Sequence, residues 1–191
     1  MKNYIVGVII FVVFVCCGVS ANAACNISND TVVIGSITDG IRVVRSCTIS
    51  FENIDDIDIG SSEGACAGIE IDPGVTLTID VASFGNVRVY GGYYFKEGNE
   101  YDCAGIYVPT TSTLVIDSRG RGKLEVYPFD RGAGIGGNGI LLTSFNGSVD
   151  CQDAGKILMK SGKVVVHDPV EYSGFAKGAG IGGGGICNVN D

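Results

Sequence analysis

Basic residues are scarce in this sequence. Lys and Arg number 13 against 21 Asp and Glu, and the net charge is −8 at pH 7. Proteins that bind nucleic acids or anionic membranes carry clustered Lys and Arg, and no basic stripe occurs along this chain. Nucleic acid is therefore excluded as an expected partner.

Motifs for metal binding and nucleophilic catalysis are also missing. No Cys-x-x-Cys pair occurs, which argues against a zinc site, and no cofactor is expected. His167 is the only histidine, and no Gly-x-Ser-x-Gly elbow accompanies it. The densest acidic cluster is Glu52, Asp55, Asp56 and Asp58. Asp56 and Asp58 alternate with isoleucine, which fits the wet face of a strand better than a calcium site. We therefore predict a protein that is not an enzyme and that has no metal.

Helical periodicity is absent as well. No stretch keeps a 3.6-residue apolar period with caps, whereas apolar residues alternate with a period of two. Leu77 and Ile79 point one way, and Thr76 and Thr78 the other. Glycine is plentiful, with 30 residues, and suits tight turns between short strands. The pattern predicts an all-β fold.

The apolar run Ile5–Val15 lies near the start of the sequence and precedes Ala21-Asn22-Ala23, which fits an A-x-A cleavage site. The run is shorter than the roughly 20 residues that a membrane span needs. We predict that residues 1–23 are a secretory signal peptide; an uncleaved anchor and a lipoprotein at Cys16 or Cys17 are the alternatives. The protein is expected to be secreted or at the cell surface, with no membrane span in the mature chain.

Cysteines and sequons support an extracellular setting. Six cysteines follow residue 23, and an even number in a secreted chain predicts disulfides. Sequons begin at Asn26, Asn29 and Asn146, which are predicted glycosylation sites if the host is a eukaryote.

An internal repeat organises the chain. Ala-Gly-Ile occurs four times, at 67–69, 104–106, 133–135 and 179–181. The first two copies open segments that align without a gap, and a looser third copy ends at His167. The matched pairs, all 37 positions apart, are Cys66 with Cys103, Leu77 with Leu114, Ile79 with Ile116, Asp80 with Asp117, Val87 with Leu124, Val89 with Val126 and Tyr90 with Tyr127.

Short strands, glycine turns and this repeat predict a short β-solenoid. We expect two coils per repeat, each of about 18–20 residues and rising about 4.8 Å. A β-sandwich is the alternative, which explains the strands but not the ungapped repeat. Residues 24–64 are predicted to form an N-terminal cap and the first strands, and residues 65–191 the glycine-rich solenoid repeats.

Stacked repeats give a disulfide hypothesis. Directly adjacent equivalent positions lie about 4.8 Å apart, within the disulfide range, whereas an intervening coil doubles that distance. Six cysteines allow 15 pairings. The favoured pairs are Cys66–Cys103, Cys25–Cys47 near the N-terminal cap and Cys151–Cys187 closing the last repeat.

Two glycine-rich segments, Gly132–Gly137 and Gly178–Gly183, match the Gly-x-Gly-x-x-Gly string of dinucleotide-binding proteins. That function needs a helix after the glycines, and neither copy is followed by a segment long enough to form one. We interpret the glycines as corners that place each isoleucine in the interior.

The stretches Gly132–Gly139, Gly155–Gly185 and Ala104–Arg131 resemble the glycine-rich, right-handed β-helix repeats of secreted and surface proteins, in which Gly-Ala-Gly-Ile-Gly-Gly elements lie between short strands. Such repeats are often labelled carbohydrate-binding or pectate-lyase-like, so the resemblance implies a right-handed β-helix. The sequence departs from the pattern at His167-Asp168, which replaces the usual glycines after the strand, and in residues 24–64, which lack the motif.

Aromatic residues are the candidate ligand-binding groups. Tyrosine combines an apolar face with a polar hydroxyl and suits sugar rings and protein surfaces, although such rings also cover the ends of hydrophobic cores. The candidates are Tyr90, Tyr93, Tyr94, Tyr101, Tyr107 and Tyr127.

The expected function is that of a secreted, non-catalytic glycan-binding or adhesion module, with an extracellular polysaccharide or glycoprotein as partner. A structural surface or matrix protein with protein partners and a polysaccharide lyase or hydrolase are the alternatives. The sequence pattern does not specify an oligomeric state.

Overall fold

The structure is a computed structural model, and it describes residues 25–52, 54–60, 66–82, 84–96, 98–142, 153–169, 178–184 and 186–188. All regular elements in these ranges are β-strands. The predicted signal peptide, Asn146 and Cys151 lie outside the described residues, as does the side chain of Cys187. Predictions about them stay untested.

Successive turns of the chain contribute strands to the same three sheets, and some turns contribute extra strands to a fourth sheet. The first turns of the chain contain β1 (Cys25–Ile27), β2 (Thr31–Val33), β3 (Ile41–Val43), β4 (Cys47–Phe51) and β5 (Ile57–Ile59). The next contain β6 (Ile69–Ile71), β7 (Thr76–Val81), β8 (Val87–Tyr90), β9 (Tyr93–Lys96) and β10 (Asn99–Asp102). The remainder are β11 (Ile106–Tyr107), β12 (Thr113–Asp117), β13 (Lys123–Tyr127), β14 (Ile135–Gly136), β15 (Gly139–Leu142), β16 (Lys156–Ser161), β17 (Lys163–Val166), β18 (Ile181–Gly182) and β19 (Ile186–Asn188).

Three sheets are parallel throughout. Sheet A has the strand order β1-β3-β6-β11-β14-β18, sheet B the order β16-β12-β7-β4-β2, and sheet C the order β17-β13-β8-β5. A strand therefore pairs with the corresponding strand of the next turn of the chain. This is a β-solenoid-like arrangement, and its parallel pairing differs from the antiparallel sheets of the alternative β-sandwich.

The sequence repeat corresponds to the pairing of neighbouring turns. Leu77 lies beside Leu114, Val89 beside Val126 and Tyr90 beside Tyr127. The prediction of two coils per repeat was wrong: β6 pairs directly with β11, so 37 residues make one coil of three strands plus an insertion. The inserted strands β9 and β10 lengthen that coil beyond its neighbours.

The interior consists of stacked aliphatic side chains. Ile41, Ile69, Ile106 and Ile135 follow one another across sheet A with no exposed surface. Each layer removes apolar surface from water, worth about 25 cal/mol per Å². The predicted inward position holds for Ile135 in the first glycine-rich motif, whereas Ile181, on the edge strand β18, is 47% exposed.

Close packing explains the glycine of the repeated Ala-Gly-Ile. A Cβ added at Gly68 would lie 2.6 Å from Cγ1 of Val89, and one at Gly105 would lie 2.2 Å from Cγ1 of Val126. These distances are too short for carbon atoms in contact. Glycine is therefore required just before each sheet A strand, where Val89 or Val126 near the end of a sheet C strand packs closely against it.

One predicted disulfide is confirmed and one is wrong. Cys66 and Cys103 are bonded, with a Cα–Cα distance of 5.3 Å, because they occupy equivalent places in adjacent coils. Cys47 is buried and outside any disulfide, so the predicted Cys25–Cys47 bond is not formed. The two cysteines lie in different sheets. Cys25 begins β1 and lies beside Ile41 in sheet A, whereas Cys47 begins β4 and lies beside Leu77 in sheet B.

The strands of residues 25–59 continue the same sheets as those of the later repeats. Ile41 lies beside Ile69, and Ile59 beside Val89. The absence of the glycine motif from this part of the sequence therefore does not change the strand pairing.

Candidate functional site

Three aromatic rings stack along the outer face of sheet C. Tyr90 and Tyr127 have ring centroids 4.9 Å apart at an interplanar angle of 16°, and Tyr127 and His167 have centroids 4.1 Å apart at 4°. We call Tyr90, Tyr127 and His167 the aromatic ladder. It follows from the parallel register of β8, β13 and β17, which places equivalent residues one above the other.

Charged groups surround the aromatic ladder and already have partners. The hydroxyl of Tyr90 donates to Asp58 at 3.3 Å, and Arg88 contacts Asp56, Asp58 and Glu125.

Glu125 completes this set of contacts. It accepts a hydrogen bond from Lys123 at 2.7 Å and lies 3.8 Å from Nε2 of His167. The hydrogen bond from Lys123 lowers the pKa of Glu125, and the charges of Lys123, His167 and Arg88 add to that effect. With its neighbours paired, the aromatic ladder has the features of a structural element.

The second aromatic region is an inserted hairpin. Strands β9 and β10 are antiparallel, with Tyr94 beside Tyr101 and Tyr93 beside Asp102. Cys103, which closes the disulfide with Cys66, follows β10 directly. Because side chains alternate along a strand, the hairpin has two different faces.

One face of the hairpin packs on the neighbouring coil. The ring centroids of Tyr93 and Phe129 are 4.9 Å apart, and Phe95 meets Tyr93 edge-on at 5.8 Å. Phe95 is 66% exposed. Tyr93 thus packs the hairpin against the coil and is also part of the surface.

The other face carries a second stack. The rings of Tyr94 and Tyr101 are nearly parallel, at 8°, with centroids 4.7 Å apart. Burial raises the pKa of Tyr94, and the neighbouring Tyr101, Glu70 and Tyr107 raise it further. Burial and the charge of Glu70 also raise the pKa of Tyr107. We call Tyr94, Tyr101 and Tyr107, together with Glu70, the tyrosine cluster.

Glu70 is the charged member of the tyrosine cluster. It lies on β6 between Arg42 of β3 and Tyr107 of β11 on the outer face of sheet A. Burial raises its pKa, the positive charge of Arg42 opposes the rise, and Asp72 adds to it. Arg42 itself forms its ion pair with Asp72, at 2.8 Å. In the described part of the chain, the Glu70 carboxylate has neither a hydrogen bond nor an ion pair.

A buried polar group lies under the hairpin beside the disulfide. Asp102 is fully buried and contacts Arg131, which also lies 2.9 Å from Asp130. Burial raises the pKa of Asp102 to about 6, against the opposing effect of Arg131. Asn138 accepts a hydrogen bond from the amide of Ala104 at 2.8 Å. These contacts hold the base of the hairpin on the coil.

The six candidate tyrosines therefore divide into separate groups. Tyr90 and Tyr127 belong to the aromatic ladder, Tyr93 to the packed face of the hairpin, and the other three to the tyrosine cluster. The sequence-based search overlooked Glu70, although the ungapped repeat places it at the position equivalent to Tyr107. That equivalence was the available signal.

Two predicted glycosylation sites lie on the surface. Asn26 on β1 and Asn29 in the following turn are both exposed, and Asn29 donates a hydrogen bond to the hydroxyl of Ser28 at 3.3 Å. Their modification stays a prediction.

Across the described ranges, no three His, Cys, Asp or Glu side chains are close enough to hold a metal ion. The same ranges contain no helix that is long and apolar enough to cross a membrane. Comparisons with protein-family models, curated proteins and solved structures find no match to this chain.

Proposed function

We propose that this chain is a secreted, non-catalytic glycan-binding module with a right-handed β-solenoid fold, and that the tyrosine cluster is its binding surface. The observation that carries the proposal is the parallel pair Tyr94 and Tyr101 beside Tyr107 and Glu70, whose carboxylate has no hydrogen bond or ion pair among the described residues. Flat aromatic faces and nearby hydroxyls are the two kinds of contact that a sugar ring can use.

The arrangement favours binding without chemistry. Tyr94 and Tyr101 are stacked before a ligand arrives, and the disulfide and Asp102 hold their hairpin at its base. A surface that is already ordered loses little conformational entropy on binding. The rings supply apolar contact, and their hydroxyls donate to or accept from sugar hydroxyls.

The aromatic ladder supports the fold in this proposal. Tyr127 has rings on both sides, and the hydroxyl of Tyr90 already has a partner in Asp58. A ligand there would have to replace most of these contacts, although Nε2 of His167 is buried without a hydrogen bond. At the tyrosine cluster, the Glu70 carboxylate has no hydrogen bond or ion pair with any described residue. This difference is the reason for placing the ligand at the hairpin.

The test is retention of the mature protein on a panel of insoluble polysaccharides, with the supernatant assayed for reducing ends and unsaturated products. We expect retention without product. Replacing Tyr94 or Tyr101 by Ala should weaken retention about fivefold, since the loss of an aromatic contact costs roughly 1 kcal/mol.

Phe84→Ala is the matched control. Phe84 is 72% exposed and lies in the turn before β8, outside the hairpin, so its removal tests general adhesion of exposed rings. Equal losses for Phe84→Ala and Tyr94→Ala would count against a specific site. Release of product would replace the proposal by a lyase or hydrolase, and absence of retention would favour a structural surface protein.

A further inference from the structure

The charge next to the tyrosine cluster indicates which glycans fit. Glu70 lies in a row of outward side chains across sheet A, between Arg42 and Tyr107. It is half-buried, and burial is the main cause of its raised pKa. A buried carboxylate without hydrogen bonds or a cation is costly, and a ligand that supplies a positive charge would remove that cost.

Arg42, the basic residue beside Glu70 in sheet A, does not form an ion pair with it. Nε of Arg42 lies 2.8 Å from Oδ1 of Asp72, and the Arg42 side chain is 48% exposed. Its charge only opposes the rise in the pKa of Glu70. Glu70 therefore remains available for a cation that arrives with a ligand.

The tyrosine rings add to the preference for a cation. The face of an aromatic ring carries negative electrostatic potential, so a positive group beside it is stabilised. Tyr94 and Tyr107 both interact electrostatically with Glu70.

We propose that the tyrosine cluster selects glycans that carry a free, protonated amine, as in polymers of deacetylated amino sugars, with the ammonium group on Glu70 and the sugar ring on the tyrosines. This inference rests on the proposed glycan-binding function and adds its ligand class. N-acetylation of the amine removes the charge and should weaken binding, while glycans with carboxylates should be disfavoured by like charge.

The test compares two matched oligosaccharides, β-linked glucosamine and its N-acetylated counterpart, by titration calorimetry with the intact mature protein. We expect the amine form to bind about tenfold more tightly. Glu70→Gln keeps the size of the side chain and removes its charge, so it should abolish this difference by weakening the amine form alone.

Net charge requires a control, because a protein of net charge −8 attracts any polycation. Glu100→Gln makes the same change in net charge on the same hairpin, and Glu100 lies beside Phe95 on the opposite strand, in the register of the packed face. We expect this variant to bind the amine form within twofold of the unaltered protein. Equal effects of both variants would overturn the proposal.

The outcomes separate the two claims. If neither oligosaccharide binds but the protein is retained on another polysaccharide of the panel, the inference is wrong and the binding function stands. If nothing on the panel retains the protein either, both fail. If both bind equally and Tyr94→Ala weakens both, the binding function stands and the preference for amines is wrong. Loss of the preference in Glu70→Gln at an unchanged melting temperature would support both.

Discussion

The aromatic ladder and the tyrosine cluster use the same residue types for different ends. The ladder residues Tyr90, Tyr127 and His167 lie at equivalent ends of parallel strands, and their stacking follows from the register alone. The tyrosine cluster depends on an insertion that pairs Tyr94 with Tyr101 across an antiparallel hairpin. The comparison shows that the repeat builds the scaffold, while the inserted hairpin adds Tyr94 and Tyr101 to a surface whose Glu70 and Tyr107 belong to the repeat.

Removing the disulfide should have the largest effect on stability and should affect the two regions differently. Bonding Cys66 to Cys103 closes a loop with a sequence separation of 37, for which the loop-entropy relation gives about 4 kcal/mol of stabilisation. We expect Cys66→Ser with Cys103→Ser to lower the free energy of unfolding by roughly that amount, measured by urea denaturation. The native protein under reducing conditions provides a second measurement.

Hydrogen exchange can locate the effect of the lost disulfide. Cys103 follows β10 directly, whereas neither cysteine is adjacent in sequence to the ladder strand β13, which lies between β8 and β17. Amides of Tyr94 and Tyr101 should therefore lose more protection than amides of Val126 and Tyr127. Equal loss in both regions would mean that the hairpin is not specifically held by the bond.

The same distinction explains what the sequence could predict. The register of Leu77 with Leu114 and of Tyr90 with Tyr127 follows from one ungapped repeat, and so does the Cys66–Cys103 bond. Side-chain periodicity is a local property, and parallel stacking carries it from coil to coil.

The hairpin could not be predicted in this way. The expectation of two coils per repeat treated the whole repeat as coil, whereas residues 93–102 leave the coil and pair with each other and with β15. The Cys25–Cys47 prediction failed for a related reason, since closeness in sequence did not take account of the corner between sheets A and B.

The second expected effect concerns pH and the base of the hairpin. Asp102 has a pKa of about 6 in the folded protein, above its ordinary value of 3.8, because burial disfavours its charge. Because the pKa of Asp102 is higher in the folded than in the unfolded protein, protonation of Asp102 stabilises the fold. This stabilisation is complete below about pH 4 and is lost as pH rises through about 6. The loss attributable to Asp102 is at most about 3 kcal/mol.

Asp102→Asn isolates this contribution. Asn mimics the protonated acid, so the melting temperatures of the two proteins should be close at pH 4.5, and the variant should become relatively more stable towards pH 7.5. Arg131 keeps a carboxylate partner in the variant, because Asp130 lies 2.9 Å away. Parallel pH profiles for the two proteins would show that Asp102 titrates normally.

The smallest expected effect separates stability from binding most clearly. Tyr127 stacks on both Tyr90 and His167, and each aromatic pair is worth about 0.5–1.5 kcal/mol beyond the burial of area. Tyr127→Ala should therefore lower the free energy of unfolding by about 2 kcal/mol. Tyr101 has one stacking partner, Tyr94, and Tyr101→Ala should cost about half as much.

Glycan retention should show the reverse order. Tyr101→Ala removes part of the proposed binding surface and should lose most of the retention, whereas Tyr127→Ala should keep it at temperatures where the protein is folded. The free energy of unfolding and glycan retention should both be measured on both variants, because a change in one quantity alone could reflect general damage to the fold. If Tyr127→Ala lost retention while it remained folded, the ladder would belong to the binding surface, since its parallel rings would then be contacting the ligand as well as each other.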